Sequence, residues 1–269
     1  MAFALETLLL LLQLHRARAL EGPVLNLGRQ TVHGTHAEIL NVFSQAGVEA
    51  APLSDDVVLA VKQGKEQHRD TIFFAHLGLE LTALDVSDYE GAEIVHDLNL
   101  PIPGHLHGRF KTVIDGGTFE HVFDVRAAFR NMADLLAPGG LAIHISPTNN
   151  YVNHGFWQLS PRSFYDYYHV NGFEDLQVTM IVTPREIATG RAWATFPFDP
   201  LGPHGAVNFF SNPNDRLTCL FCARKTSAST SEQIPAQSFA NASSGGTPLI
   251  GASIALDLTA QGLIVTGLD

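Results

Sequence analysis

Short apolar runs alternate with stretches of helical period along most of this chain. Val24-Leu25-Asn26-Leu27, set between Gly22-Pro23 and Gly28, is the first run that predicts a strand. Its apolar character at almost every position suits a strand buried on both faces. Ala37, Leu40, Val42 and Phe43 then recur at helical spacing and predict a helix within residues 33–46. Two more helices are expected over 55–65 and 71–77, joined by a polar segment at 67–70. A second strand over 81–86 carries Asp85 near its end, and a third over 93–96 is stopped by Asp97, Pro101 and Pro103. Residues 110–114 form the clearest strand, closed by Asp115-Gly116-Gly117. A long amphipathic helix is expected over 119–136, with Val122, Phe123, Ala127, Phe129, Met132 and Leu136 as its apolar set. Pro138-Gly139-Gly140 ends it before a strand over 141–145. A helix over 161–169 and late strands over 178–183 and 217–223 complete the pattern. Strand alternating with helix predicts an α/β fold, a doubly wound and mostly parallel sheet covered on both faces.

Three regions fall outside that alternation. The apolar run at 8–12 is far shorter than the roughly 20 residues of a membrane helix. Glu6 precedes it, and His15, Arg16 and Arg18 follow, which inverts the charge order of a secretory signal. A cytoplasmic protein is therefore expected, with an N-terminal helix whose leucines cover the edge of the sheet. Residues 184–216 hold several Pro, Gly and Phe, as a substrate-covering insertion would. From 226 to about 247 the chain is rich in Ser, Ala, Thr, Asn and Gly without either period. This divides it into a domain over 1–225 and a low-complexity tail over 226–269, expected to be disordered. The apolar stretch at 249–268 fits either a returning strand or a partner-binding strip.

Charge narrows the partners. Sixteen Lys and Arg against 27 Asp and Glu give a net charge of −11 over 269 residues. Capture of nucleic acid or of an anionic membrane needs a basic face, so neither is expected. A small anionic ligand held by a few backbone N–H groups is not excluded by this balance, and self-association into a homo-oligomer stays open. Two cysteines exclude a disulfide scaffold and a four-thiolate zinc site. Cys219 and Cys222, three apart on a strand, should face opposite sides as buried thiols. The thirteen histidines include His105-Leu106-His107 and the pair Glu120-His121 with Asp124 nearby. Sequence neighbours do not establish the convergence a metal requires, and no metal site is expected.

Ligands of a doubly wound sheet bind at the carboxyl ends of its strands. Here those ends carry Asn26-Leu27-Gly28, Asp85, Asp97 and Asp115-Gly116-Gly117. In that order, together with Glu120-His121-Val122 and the run Leu135-Leu136-Ala137-Pro138-Gly139-Gly140, they resemble class I S-adenosylmethionine-dependent methyltransferases over roughly residues 20–183. The resemblance implies a Rossmann-like methyltransferase topology whose last strand, 217–223, runs antiparallel. It implies S-adenosylmethionine as cofactor, with Asp85 at the ribose and Asp97 at the adenine amino group. Asn26 and Gly28 would meet the methionine portion, and Asp115, Gly116 and Gly117 would line the floor near the sulfur. The first glycine loop departs from the family pattern. Asn26 replaces an acid, only Gly28 remains of the glycines, and Gln30 and Val32 narrow the cleft.

The implied reaction is methyl transfer to a hydroxyl of a small molecule or sugar. Thr148-Asn149-Asn150-Tyr151-Val152-Asn153-His154-Gly155-Phe156-Trp157-Gln158 follows the fifth of these strands, where the acceptor would lie, and its amides and aromatics suit a hydroxylated ligand. His154 and His121 are the candidate bases, because a neutral imidazole titrates in the right range. Two rival readings use the same cleft: a hydrolase or lyase, and a non-catalytic subunit paired with an active relative.

Overall fold

The computed structural model describes residues 2–62, 70–184, 194–201 and 215–236. Strand β1 (Ala2–Ala4) leads into helix α1 (Leu5–Arg16), and β2 (Val24–Leu27) is followed by β3 (Thr31–His33). Helices α2 (His36–Ala46), α3 (Asp55–Lys62) and α4 (Asp70–His76) precede β4 (Leu81–Asp85) and β5 (Ile94–Val95). Then come β6 (Phe110–Asp115), α5 (Val125–Leu135), β7 (Leu136–Asn149), α6 (Pro161–Val170), β8 (Glu174–Pro184), β9 (Ala194–Pro197) and β10 (Asp215–Arg224).

Among the described residues, eight strands form one sheet in the order β5-β4-β2-β6-β7-β10-β8-β9, and β1 and β3 form a separate parallel pair. Neighbours from β5 to β7 are parallel, while β10 runs antiparallel to both β7 and β8. This is the doubly wound, mostly parallel α/β sheet that the pattern predicts, with its last strand reversed. Apolar side chains pack on both faces. Helices α5 and α6 bury Phe129, Met132, Phe164 and Tyr168 against one face. Helices α1, α2 and α4 bury Leu8, Leu11, Phe43 and Phe73 against the other. Cys219 belongs to the first layer and Cys222 to the second, on opposite sides of β10 as expected. Burial raises both thiols, that of Cys222 to about 12.

Four expectations need correction. The N-terminal helix covers a sheet face rather than its edge. Leu8, Leu10, Leu11, Leu12 and Leu14 are all buried, because α1 is packed against α2 as well as against the sheet. The helix expected over 119–136 is split into a short 3-10 turn, Phe119–His121, and α5. Asp124 makes the break: its carboxylate accepts from Ala127 N at 3.1 Å and caps the helix there. The strand expected over 141–145 begins earlier, at Leu136, and Pro138-Gly139-Gly140 lies inside it beside a register shift between Phe110 and Thr112. Finally, residues 226–236 lie bonded to the turn between α6 and β8. Thr230 Oγ1 and Gln233 N donate to Asn171 Oδ1, Ser229 Oγ donates to Gly172 O, and Tyr167 OH donates to Ser231 O. Residues 237–269, with the apolar stretch 249–268, lie outside the described residues. So does most of 184–216, apart from β9 on the outer edge of the sheet. Among the described residues, no helix is long and apolar enough to cross a membrane.

Candidate functional site

The chain steps outward from β2 through β4 to β5, then returns to β6 on the other side of β2. The crevice at the carboxyl ends of β2 and β6 is thus the switch point of the sheet. Asn26 sits in β2, fully buried, and its Nδ2 donates to Asp70 Oδ2 at 3.0 Å. The same oxygen accepts from Gln30 N at 3.0 Å, and Asp70 Oδ1 accepts from Thr71 N at 2.9 Å. Burial outweighs these donors and pushes the Asp70 carboxyl up to about 6. Gly28 follows with φ 77°, a conformation glycine adopts freely, and its N–H donates to Leu84 O at 2.7 Å. Arg29 turns across to the loop between β4 and β5, where Nη2 donates to Gly91 O at 2.8 Å and Glu93 Oε1 at 2.6 Å. Gln30 Nε2 makes long bonds to Leu27 O and Gly28 O, at 3.4 and 3.3 Å. Three atoms at the end of β2 and in this loop are buried without a hydrogen-bond partner among the described residues: Asn26 Oδ1, Gln30 Oε1 and Arg29 Nη1, the last standing 3.9 Å from Asp70 Oδ2.

The acids expected at the cofactor are differently placed. Asp85 is half-buried at the open end of β4, and Oδ1 accepts from Val86 N at 2.7 Å. Asp97 turns back on its own loop, where Oδ1 accepts from Asn99 N and Nδ2, which lowers its pKa. Asp115 faces inward. Its Oδ1 accepts from Thr118 N at 2.7 Å and Phe119 N at 3.2 Å. Its Oδ2 meets His144 Nδ1 at 2.9 Å and Ser146 Oγ at 3.1 Å, and His144 Nε2 meets Tyr168 OH at 2.7 Å. Asp115, Phe119, His144, Ser146 and Tyr168 are all buried. Gly116 has no room for a side chain, since a Cβ there would lie 2.6 Å from Phe3 Cε1 and 3.1 Å from Gln30 Cδ. The ring of Phe3 on β1 therefore covers this part of the floor, beside Gly117.

His121 and His154 come together. Their rings lie 5.3 Å apart between centroids, over the buried side chain of Glu120. The segment 150–158 folds onto the 3-10 turn to make this contact. Phe156 N and Trp157 N donate to Glu120 O at 2.7 and 3.2 Å, and Trp157 Nε1 donates to Val122 O at 3.0 Å. Gly155 permits the approach, because a Cβ on it would lie 2.6 Å from Glu120 O. Glu120 Oε1 is 3.5 Å from His154 Nε2 and 4.0 Å from His121 Nε2. Burial, reinforced by the charge of Asp115, pushes the Glu120 carboxyl up to about 8. Burial and then the charge of His154 lower the pKa of His121. His121 lies on the 3-10 turn before α5 rather than in that helix. Phe123 and Phe156 meet edge to face at 5.4 Å between centroids, both exposed beside the histidines.

Asp70, Glu120, His144 and Tyr168 are the residues that sequence reasoning did not assign to a site. Glu120 is visible in the sequence as a donor type beside His121 and Asp124, without the convergence that a site requires, and Asp70 only as part of a polar connection.

No protein-family model matches the sequence, and no characterised protein matches it. Solved structures similar in fold include a SAM-dependent methyltransferase from Archaeoglobus fulgidus, with 12% identity, a TM-score of 0.41 and coverage of 81% of this chain and 94% of that one. A 1,6-didemethyltoxoflavin-N1-methyltransferase from Burkholderia thailandensis, with S-adenosylhomocysteine bound, has 14% identity, a TM-score of 0.42 and coverage of 82% and 78%. A phosphoethanolamine N-methyltransferase 2 from Haemonchus contortus, in complex with S-adenosyl-L-methionine, has 12% identity, a TM-score of 0.42 and coverage of 80% and 52%. The α/β class and the doubly wound topology stand on the strand order of this chain itself.

Proposed function

We propose that this chain transfers a methyl group from S-adenosylmethionine to a hydroxyl oxygen of a small molecule or glycan. The observation that carries the reading is the set of three buried atoms beside the switch point that make no hydrogen bond among the described residues. Asn26 Oδ1 and Gln30 Oε1 are acceptors suited to an ammonium group, and Arg29 Nη1 is a charged donor suited to a carboxylate. Together they complement the two ends of an α-amino acid, the methionine portion of the cofactor. Asp85 at the open end of β4 suits a ribose diol, because a carboxylate accepts from both hydroxyls. Asp97, with Oδ1 engaged by Asn99, keeps a second oxygen for the adenine amino group. By these donor types the residues fit the cofactor, with Phe3 and Gln30 setting how far it enters above Gly116.

When bound, the cofactor supplies a methyl group already activated by its sulfonium. What remains for the protein is to orient the acceptor and to manage its proton. Glu120, His121 and His154 offer the proton-handling groups on the expected acceptor side. The exposed rings of Phe123, Phe156 and Trp157 suit the apolar face of a sugar or an aromatic ring.

Calorimetry with S-adenosylmethionine and with its demethylated product tests the reading. Binding of both is expected, with methyl transfer to a hydroxylated acceptor. An intact fold that binds neither compound overturns it in favour of the hydrolase or lyase reading. Binding without turnover on any hydroxylated acceptor favours the non-catalytic subunit.

A further inference from the structure

Glu120, His121 and His154 converge without a hydrogen bond among them. Each contributes one donor atom, and these atoms all lie within 4.8 Å of one another. The nitrogens stand 3.5 and 4.0 Å from Glu120 Oε1, too far for good hydrogen bonds. Glu120 Oε2 is buried and has no hydrogen-bond partner among the described residues. A buried carboxylate oxygen left in this state is costly unless a donor or a cation meets it. The backbone holds the three residues in place through the bonds of Phe156 N and Trp157 N to Glu120 O. The two imidazoles are partly exposed, so the outer side of the cluster is open, while the carboxylate closes its inner side.

We propose that Glu120, His121 and His154 form a binding site for one first-row divalent cation of the zinc or manganese kind, with its remaining positions open to the acceptor. Two imidazoles and a carboxylate favour such an ion over magnesium, which prefers oxygen donors throughout. Metal–ligand distances of about 2.0–2.2 Å require the three side chains to close in by roughly an ångström, which rotation of the exposed imidazoles supplies. Three protein ligands with an open position are the pattern of a reactive centre rather than of a structural one. The cation site stands on this geometry alone, whereas its use rests on the proposed methyl transfer. An acceptor hydroxyl bound at the open position would lose its proton to water more readily, because the cation stabilises the alkoxide. His121 and His154 then serve as ligands, and neither has to act as the base.

The test is calorimetric titration of the full chain, freed of metal by a chelator, with Zn2+, Mn2+ or Mg2+ alone. One Zn2+ or Mn2+ per chain is expected, with Mg2+ weaker by at least about tenfold. Glu120→Gln and His154→Ala should each weaken binding by at least about tenfold, while His169→Ala, on an exposed histidine of α6, leaves it unchanged. His154 lies on a half-exposed loop, so its variant reports on binding even where Glu120→Gln folds poorly. Absence of stoichiometric Zn2+ and Mn2+ binding overturns the proposal. Wild-type affinity in both site variants, or equal affinity for Mg2+, does the same. Titration with S-adenosylmethionine beside these separates the two readings. A cation without the cofactor leaves the metal site and removes the methyl transfer; the cofactor without a cation does the reverse.

Discussion

Asp85 and Asp115 end the two parallel strands that flank β2 with the same side chain, yet the two should answer substitution in opposite ways. Asp85 is half-buried, and among the described residues its carboxylate is bonded only to Val86 N, so Asp85→Ala removes little from the folded protein. If it holds a ribose diol, cofactor affinity should fall at least about tenfold in calorimetry, with the apo melting temperature nearly unchanged. Asp115 is itself fully buried and accepts from two backbone N–H groups, from Ser146 and from His144. Asp115→Ala strands these donors and should cost roughly 3–5 kcal/mol in denaturant unfolding, the range for breaking a buried pair. Asp70 adds a pH signature. Its folded value of about 6 lies above its ordinary 3.8, so the folded state holds the proton more tightly than the unfolded chain. The contribution of Asp70 is therefore full below about pH 4 and is lost as pH rises through 6. Over that window the stability of wild type should fall relative to that of Asp70→Asn by up to about 3 kcal/mol, read from urea unfolding at several pH values.

At the scale of elements, the strands and most helices were legible, because apolar runs between Gly, Pro and Asp mark buried strands directly. The split of the helix after β6 was not. Phe119, Val122 and Phe123 continue the helical period, and only the Asp124 cap and the segment folded over Glu120 overrule it. The same fold-over explains why two histidines could be singled out as candidates while their meeting point could not. Phe156 N and Trp157 N reach Glu120 across a long span of sequence, a tertiary contact that no local period encodes. Asp70 escaped because a polar connection usually lies in solvent, whereas here it is drawn under the first loop by Asn26 and Gln30. Gly155 carries the prediction that belongs to this scale. Gly155→Ala forces the segment away from Glu120 O, so turnover and cation binding should drop at least about tenfold while cofactor affinity stays within a few-fold. A parallel loss of cofactor affinity would place the effect in the whole cleft instead.

For the whole molecule, the boundary of the folded unit lies beyond the point where composition changes. Residues 226–236 are poor in large apolar side chains, and that is why they read as tail, but hydrogen bonds rather than burial hold them. Asn171 Oδ1 is satisfied by Thr230 and Gln233, and Asn171 Nδ2 reaches Tyr167 O and Gln233 O. Ending the chain after Lys225 should thus cost about 1–3 kcal/mol, since Asn171 loses partners while still buried. Ending it after Ala236 keeps every one of these bonds and should leave thermal unfolding close to that of the full chain. Equal stability of the two truncated forms would show that water replaces the lost partners.

Strand β10 also equips the protein with two chemical reporters, one in each apolar layer. Cys219 and Cys222 are the only thiols in the chain, and their reactivity in the folded state is suppressed by burial. A brief pulse of alkylating reagent across a denaturant series, read as intact mass and then by peptide, would time the opening of each layer separately. Equal labelling of the two thiols at every concentration means that the sheet loses both its coverings in one step. Earlier labelling of Cys222 would mean that the layer of α1, α2 and α4 peels away first, leaving α5 and α6 on a half-clothed sheet.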